Sequence, residues 1–293
     1  MDSFLERLQT GQVLVADGAT GTNLQERGLP LGMPSDSWVF ENPQAVEDLH
    51  REFIQAGADI ILTCSFGGSS IRLKDQHLAE RAAELNFAAA GLARAAVHGT
   101  SVLVAGSMGP TGQLLKPLGP LDPETAQAAF AAQAQALAEG GVDMLVIETQ
   151  FDLTEATLAI QGVRSVTSLP LVVSFSYDRG KRTMMGVKPS QMAAELAELG
   201  VVALGINCGR SLEDNLTALQ ELREATTLPI WFKPNAGLPK VNAEGQAFYE
   251  VTPEQMGALV PGWLAAGAQI VGGCCGTSPE HLHQIALHAH PVD

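Results

Sequence analysis

Along the chain, short runs of consecutive apolar residues alternate with longer stretches whose apolar positions recur every three to four residues. The runs are VLVAD (13–17), DIILTC (59–64), SVLVAG (101–106), DMLVIE (143–148), PLVVSFS (170–176), VALGINC (202–208), PIWFKPN (229–235) and QIVGGC (269–274). Near-continuous hydrophobicity predicts strands covered on both faces, as in a parallel sheet. Between them, Leu78, Ala82, Leu85, Ala89 and Leu92 mark one helical stripe, and Leu212, Leu216, Leu219 and Leu222 another. Helix starts are punctuated by a capping residue and a proline at Asn42-Pro43, Asp122-Pro123, Thr252-Pro253 and Ser278-Pro279. The capping oxygen satisfies an orphan amide, and proline fits the first helical position because an N–H there has no partner. TPEQ at 252–255 adds the glutamine of a capping box.

Eight strand–helix units in 293 residues predict an α/β fold, a (β/α)8 TIM barrel, with a doubly wound open sheet as the other arrangement this order allows. No linker, low-complexity tract or charge block divides the chain, so residues 1–293 read as one barrel domain. Barrel chemistry sits at the carboxyl ends of the strands. Those ends collect Asp17, Thr63, Cys64, Glu148, Asn207, Cys208, Asn235, Cys274 and Cys275.

Composition narrows the function classes. At 46% hydrophobic and 17% charged, the chain can bury a large core. With 17 Lys plus Arg against 32 Asp plus Glu, a net charge of −15 argues against binding nucleic acid or an anionic membrane. No segment approaches the roughly 20 apolar residues of a membrane helix. The start MDSFLERLQTGQVL also lacks the basic-then-apolar order of a secretion signal. The expectation is a soluble, cytoplasmic protein acting on a small molecule or a protein partner. Four cysteines are too few for a disulfide scaffold, and in a reducing compartment they point to metal or thiol chemistry.

Strands six and eight of a closed barrel are two positions apart, so Cys208 can share a ligand with the neighbours Cys274 and Cys275. Three thiolates leave one position of a zinc ion open, whereas a structural zinc takes four protein ligands. They also outweigh the charge of Zn2+, which suits the centre to holding another thiol as thiolate rather than splitting water. In GGCCG the glycines let the backbone bend so that adjacent side chains, opposed in a regular strand, reach one ion. The helix start near Ser278 adds a field that favours thiolates. Taken singly, each cysteine is more often a small buried filler; the joint placement carries the metal reading. Asp17 and Glu148 alone fit loop-stabilising carboxylates, and Asn207 and Asn235 fit loop backbone supports. His50, His77, His98, His281, His283, His288 and His290 read as helix-surface residues and not as ligands. Two rival classes stay open: a redox protein with a vicinal Cys274–Cys275 disulfide, and a non-catalytic binding subunit.

The segments VADGATGT, LHREFIQAGADIILTCSF, EGGVDMLVIET, ALGINC, PNAG and IVGGCCGT together resemble the homocysteine S-methyltransferase family nearly end to end. This is the zinc-dependent barrel found in betaine-homocysteine methyltransferase and in the N-terminal, homocysteine-binding module of cobalamin-dependent methionine synthase. The resemblance implies Cys208, Cys274 and Cys275 as zinc ligands and catalytic residues, with homocysteine supplying the fourth ligand through sulfur. It further implies Asp17 and Glu148 on the amino group, Thr63 and the Gly18 backbone on the carboxylate, Asn207 within the substrate site, and Asn235 in support of the metal. GSMGPTGQLLKPLG and KPNAGLPKVNAEGQAFY resemble the methionine synthase branch, which implies methylcobalamin as donor, brought by a separate corrinoid-carrier protein. S-methylmethionine and betaine are the alternative donors. A quaternary ammonium donor calls for aromatic walls, for which Trp38, Phe66 and Phe151 are candidates in a chain only 5% aromatic. One departure stands out: TCSF places Cys64 where that branch has asparagine, beside the acceptor site.

Overall fold

The computed structural model describes residues 3–178, 181–241 and 247–290. Its parallel strands are β1 (Leu14–Val15), β2 (Ile60–Leu62), β3 (Leu103–Met108), β4 (Met144–Gln150), β5 (Leu171–Phe175), β6 (Ala203–Cys208), β7 (Ile230–Pro234) and β8 (Ile270–Val271). The helices that follow them are α1 (Pro43–Gln55), α2 (Ala82–Ala96), α3 (Pro123–Glu139), α4 (Leu153–Val166), α5 (Pro189–Leu196), α6 (Leu212–Ala225), α7 (Pro253–Ala265) and α8 (Pro279–Ala289). The sheet runs from β2 through β3, β4, β5, β6 and β7 to β8 and then β1. It closes where Ala16 bridges to Ile60 and the Asp17 amide donates to the Ile60 carbonyl at 2.9 Å. The arrangement is the expected (β/α)8 TIM barrel, not the open sheet.

The continuous apolar runs arise because both faces of each strand are covered. Leu14, Ile60, Leu103, Met144, Val172, Ala203, Trp231 and Ile270 pack inside the barrel. Val15, Ile61, Val104, Leu145, Val173, Leu204, Phe232 and Val271 pack outward in the cluster that includes the helices. A short N-terminal helix, Phe4–Gln9, closes the floor by inserting Phe4 and Leu8 into the interior cluster. It is tied down by Arg7 donating to the Ser101 carbonyl at 2.6 Å and by the Gln269 amide donating to the Leu8 carbonyl at 2.9 Å.

Several expectations need correction. β1 and β8 keep only two ladder residues each, because the chain beyond Val15 and Val271 turns into loops facing the barrel mouth. Leu78 precedes α2 rather than belonging to it, since His77 takes a left-handed conformation (φ 57°) that interrupts the helical path. Of the predicted caps, Thr252 forms its full box with Gln255, but Asn42 and Asp122 make no side-chain cap bond. The Asp122 carboxylate instead takes Lys116 Nζ at 2.6 Å. His50 and His281 are buried, not on the surface. Burial pushes His50 down to about 4, so it stays neutral, while His281 is fixed between Ser278 and the Val251 carbonyl. No helix among the described residues is long and apolar enough to cross a membrane.

The floor helix contributes through burial rather than chemistry. Phe4→Ala empties a site that is 2% exposed and should lower the unfolding free energy by about 3 to 5 kcal/mol in urea titrations, with any bound metal retained at its wild-type stoichiometry.

Candidate metal centre

Two turns, one after β6 and one after β8, place the sulfurs. At the end of β6, Cys208 itself is left-handed (φ 57°), as is Gly209 (φ 79°). Asn215 of α6 holds the turn by donating to the Cys208 carbonyl at 2.7 Å. A Cβ on Gly209 would lie 2.1 Å from the Asn215 Oδ1, so only glycine fits. After β8, the Cys274 amide donates to the Pro234 carbonyl at 2.9 Å, and the Cys275 carbonyl accepts from Ala236 at 3.0 Å. Thr277 closes the turn, its hydroxyl donating to the Cys274 carbonyl at 2.6 Å. At Gly276 (φ 80°) a Cβ would lie 2.2 Å from the Tyr249 ring, so glycine lets the aromatic cover the turn.

The two turns bring the Cys208 and Cys274 sulfurs to 2.9 Å, and all three sulfurs lie within 4.8 Å of one another. A tetrahedral ion with bonds of about 2.3 Å holds its sulfurs about 3.8 Å apart. With Cys208 and Cys274 opened by about 0.9 Å from this spacing, the group fits one metal ion. Its electrostatics fit as well. The neighbouring Cys208 and Cys274 thiols hold Cys275 well below the ordinary thiol range. Cys208, bonded to Cys274, close to Cys275 and buried, is pushed well up. One thiolate forms readily and further ones are resisted, so a cation is what allows all three to ionise together.

Beside the sulfurs opens a cavity of about 370 Å³. Gly18, Thr63, Glu148, Cys208, Cys274 and Cys275 line it, as the sequence suggested, together with Cys64. Glu148 sits at an irregularity in the β4–β5 register, followed by Thr149 in a left-handed conformation (φ 61°). Its carboxylate accepts from the Ser107 hydroxyl. Burial, only partly offset by Lys233, raises it to about 7. The Thr63 hydroxyl contacts Ser65 at 2.6 Å and accepts from the Ser107 amide at 3.0 Å.

Three predicted site residues lie behind the cavity instead of on it. Asn207 is fully buried, and its Oδ1 accepts from the Thr149 amide at 2.8 Å and from Ser174. Its Nδ2 donates to the Thr149 hydroxyl at 2.6 Å and toward the Cys274 sulfur at 3.8 Å. It clamps the Glu148 strand end to the cysteine cluster. Asn235 donates to the Gly209 carbonyl at 2.9 Å and so backs the Cys208 turn. Asp17 is 1% exposed, with Oδ1 on Lys233 Nζ at 2.7 Å and Oδ2 on the Leu62 amide at 2.7 Å.

Sequence reasoning missed Lys233 and Tyr249, both on the cavity wall. The signal for Lys233 was present, because a lysine two residues after Trp231 in PIWFKPN shares its inward face. Tyr249 gave none, since it precedes α7 in a loop. Of the suggested aromatic walls Phe66 lines the cavity, whereas Trp38 and Phe151 do not. The Cys64 thiol donates to the Ser35 carbonyl at 3.3 Å, and burial pushes it well up, which keeps it a neutral wall group.

Known proteins match this architecture over nearly the whole chain. The methionine synthases of Mycobacterium leprae and Mycobacterium tuberculosis are each 30% identical to it over 97% of its length, but it spans only 25% of theirs. The chain thus covers about a quarter of the length of these curated relatives. The metallated crystal structure of the homocysteine methyltransferase MmuM from Escherichia coli superposes with a TM-score of 0.82 at 29% identity, covering 96% of this chain and 98% of that one. Residues 14–289 match the model of one family, and with the cysteine cluster and cavity in place the chain belongs to the homocysteine S-methyltransferase family.

Proposed function

We propose that the chain is a zinc-dependent homocysteine S-methyltransferase that forms methionine, with a methylcorrinoid carried on a separate protein as donor. The observation that carries the reading is the cluster of Cys208, Cys274 and Cys275, three sulfurs within 4.8 Å of one another on the wall of a cavity sized for a small molecule. These residues would hold zinc, which when bound would keep the acceptor thiol ionised at neutral pH. Glu148 receives the amino group of homocysteine. Thr63 and the Gly18 amide, which has no hydrogen-bond partner among the described residues, receive its carboxylate. Asn207 keeps Glu148 and Cys274 in register, and Asn235 supports the turn at Cys208.

Methyl transfer from an activated donor to a thiolate needs in-line placement and no general base, so the barrel contributes chiefly orientation. At about 370 Å³ the cavity is near the lower end for ligand pockets, which leaves a corrinoid ring outside, presenting its methyl group at the mouth. Phe66 and Tyr249 on the wall favour a second reading, a small sulfonium or quaternary ammonium donor such as S-methylmethionine or betaine entering the cavity. Three free thiols at the centre suit a reducing, cytoplasmic compartment.

Cys208→Ala should lose zinc by elemental analysis and methionine formation together; a fully active variant would overturn the assignment. Glu148→Gln should keep zinc while raising the KM for homocysteine about tenfold to a hundredfold, the cost of one charge-assisted contact. The donor is decided by supplying zinc-loaded protein and L-homocysteine with methylcobalamin, S-methylmethionine or betaine in parallel. Turnover with methylcobalamin is expected, and turnover with a small onium donor alone would establish the second reading.

A further inference from the structure

Lys233 is a cation buried in the barrel interior whose role the family resemblance does not supply. It projects from β7 with the inward phase of Trp231, is 3% exposed, and lines the cavity beside Thr63, Ser107 and Glu148. Its one hydrogen bond among the described residues goes to Asp17 Oδ1 at 2.7 Å. An ammonium has three donors. Two therefore remain without a hydrogen-bond partner among the described residues, with only the Trp231 ring, 5.6 Å away, to offset the charge in a group almost wholly removed from water, which is costly unless a ligand takes them.

The same contact changes the part Asp17 can play. Both of its oxygens are engaged, by Lys233 and by the Leu62 amide, and Lys233 lines the cavity where Asp17 does not. The lysine ammonium occupies the carboxylate that was expected to receive the acceptor's amino group. What faces the acceptor is one carboxylate, Glu148, and one cation, Lys233, each within the other's field. Burial alone would favour neutral lysine, but Asp17 and Glu148 hold it protonated.

We infer that Lys233 is a specificity-determining residue that joins Thr63 and the Gly18 amide in binding the acceptor's carboxylate, so that Lys233 and Glu148 supply the two charges that read a zwitterionic amino-acid head group while the thiol lies at the cysteine cluster. This rests on the acceptor reading above and deepens it: a thiol bearing a carboxylate is selected, and Asp17 acts by holding Lys233.

The test is calorimetric binding to zinc-loaded protein of L-homocysteine, its analogue without the amino group (4-mercaptobutanoate), its analogue without the carboxylate (3-mercaptopropylamine), and 1-butanethiol. Lys233→Met combined with Asp17→Asn removes both charges without stranding either. In that variant homocysteine and 4-mercaptobutanoate should each bind about tenfold or more weakly, with 3-mercaptopropylamine unchanged. Equal weakening of both analogues, or no change in either, would overturn the inference. The wild-type protein supplies a check independent of the variant's folding: 4-mercaptobutanoate should bind about tenfold more tightly than 1-butanethiol, and no gain from the carboxylate would overturn it. Failure of every thiol to bind would overturn the acceptor reading as well.

Discussion

Three cysteine sulfurs within 4.8 Å of one another cannot all carry charge unless a cation lies among them, and much of the local structure exists to impose that proximity. Barrel closure places the ends of β6 and β8 on either side of β7. Each end then departs from regular strand geometry. Cys208 accepts a left-handed backbone, a conformation that costs a non-glycine residue on the order of 1 kcal/mol, and Asn215 and Asn235 hold the turn that compensates it. The loop after β8 bends so that two consecutive cysteines point one way. Backbone bonds to Pro234 and Ala236 tie that bend to β7, so the strand between the two cysteine-bearing ends acts as their shared support.

The cysteine cluster and the cavity wall are mechanically one unit. Asn207 reaches Thr149 through both ends of its amide and meets Ser174 and the Cys274 sulfur as well. Glu148 is aimed by the irregularity at the end of β4, and that irregularity is fixed by the same asparagine. A change that loosens Asn207 would therefore disturb the Glu148 side of the cavity and thiol placement together. The cavity wall gains its precision from strand ends, which are held on both sides by the packed clusters of the barrel.

The fold and the cysteine triad were legible in the sequence because both are written in local patterns: unbroken apolar runs for a parallel barrel, and cysteines at the ends of two of those runs. The individual duties of Asp17, Asn207 and Asn235 were not legible, because they depend on partners up to 216 residues away, as in the pairing of Asp17 with Lys233. Histidine placement failed for a similar reason. His50 looks like one more polar residue on a helix, and only the packing of α1 against the barrel shows it buried. Thr252 capped as its own sequence dictates, whereas Asp122 was drawn away by Lys116, a competitor that a four-residue motif does not contain.

The buried Asp17–Lys233 pair explains how an acidic protein can keep a cluster of thiols next to a carboxylate. Removing one partner of such a pair typically costs about 3 to 5 kcal/mol, because the other is left charged in the interior. The pair is thus better suited to holding shape than to exchanging a charged group. Asp17, with both oxygens occupied, is invested in structure. Lys233 lines the cavity and has donors to spare beyond its bond to Asp17. Its positive charge also offsets the field of Glu148 and Cys274. A single inward lysine on β7 accordingly serves both the stability of the barrel interior and the charge balance of the cavity above it.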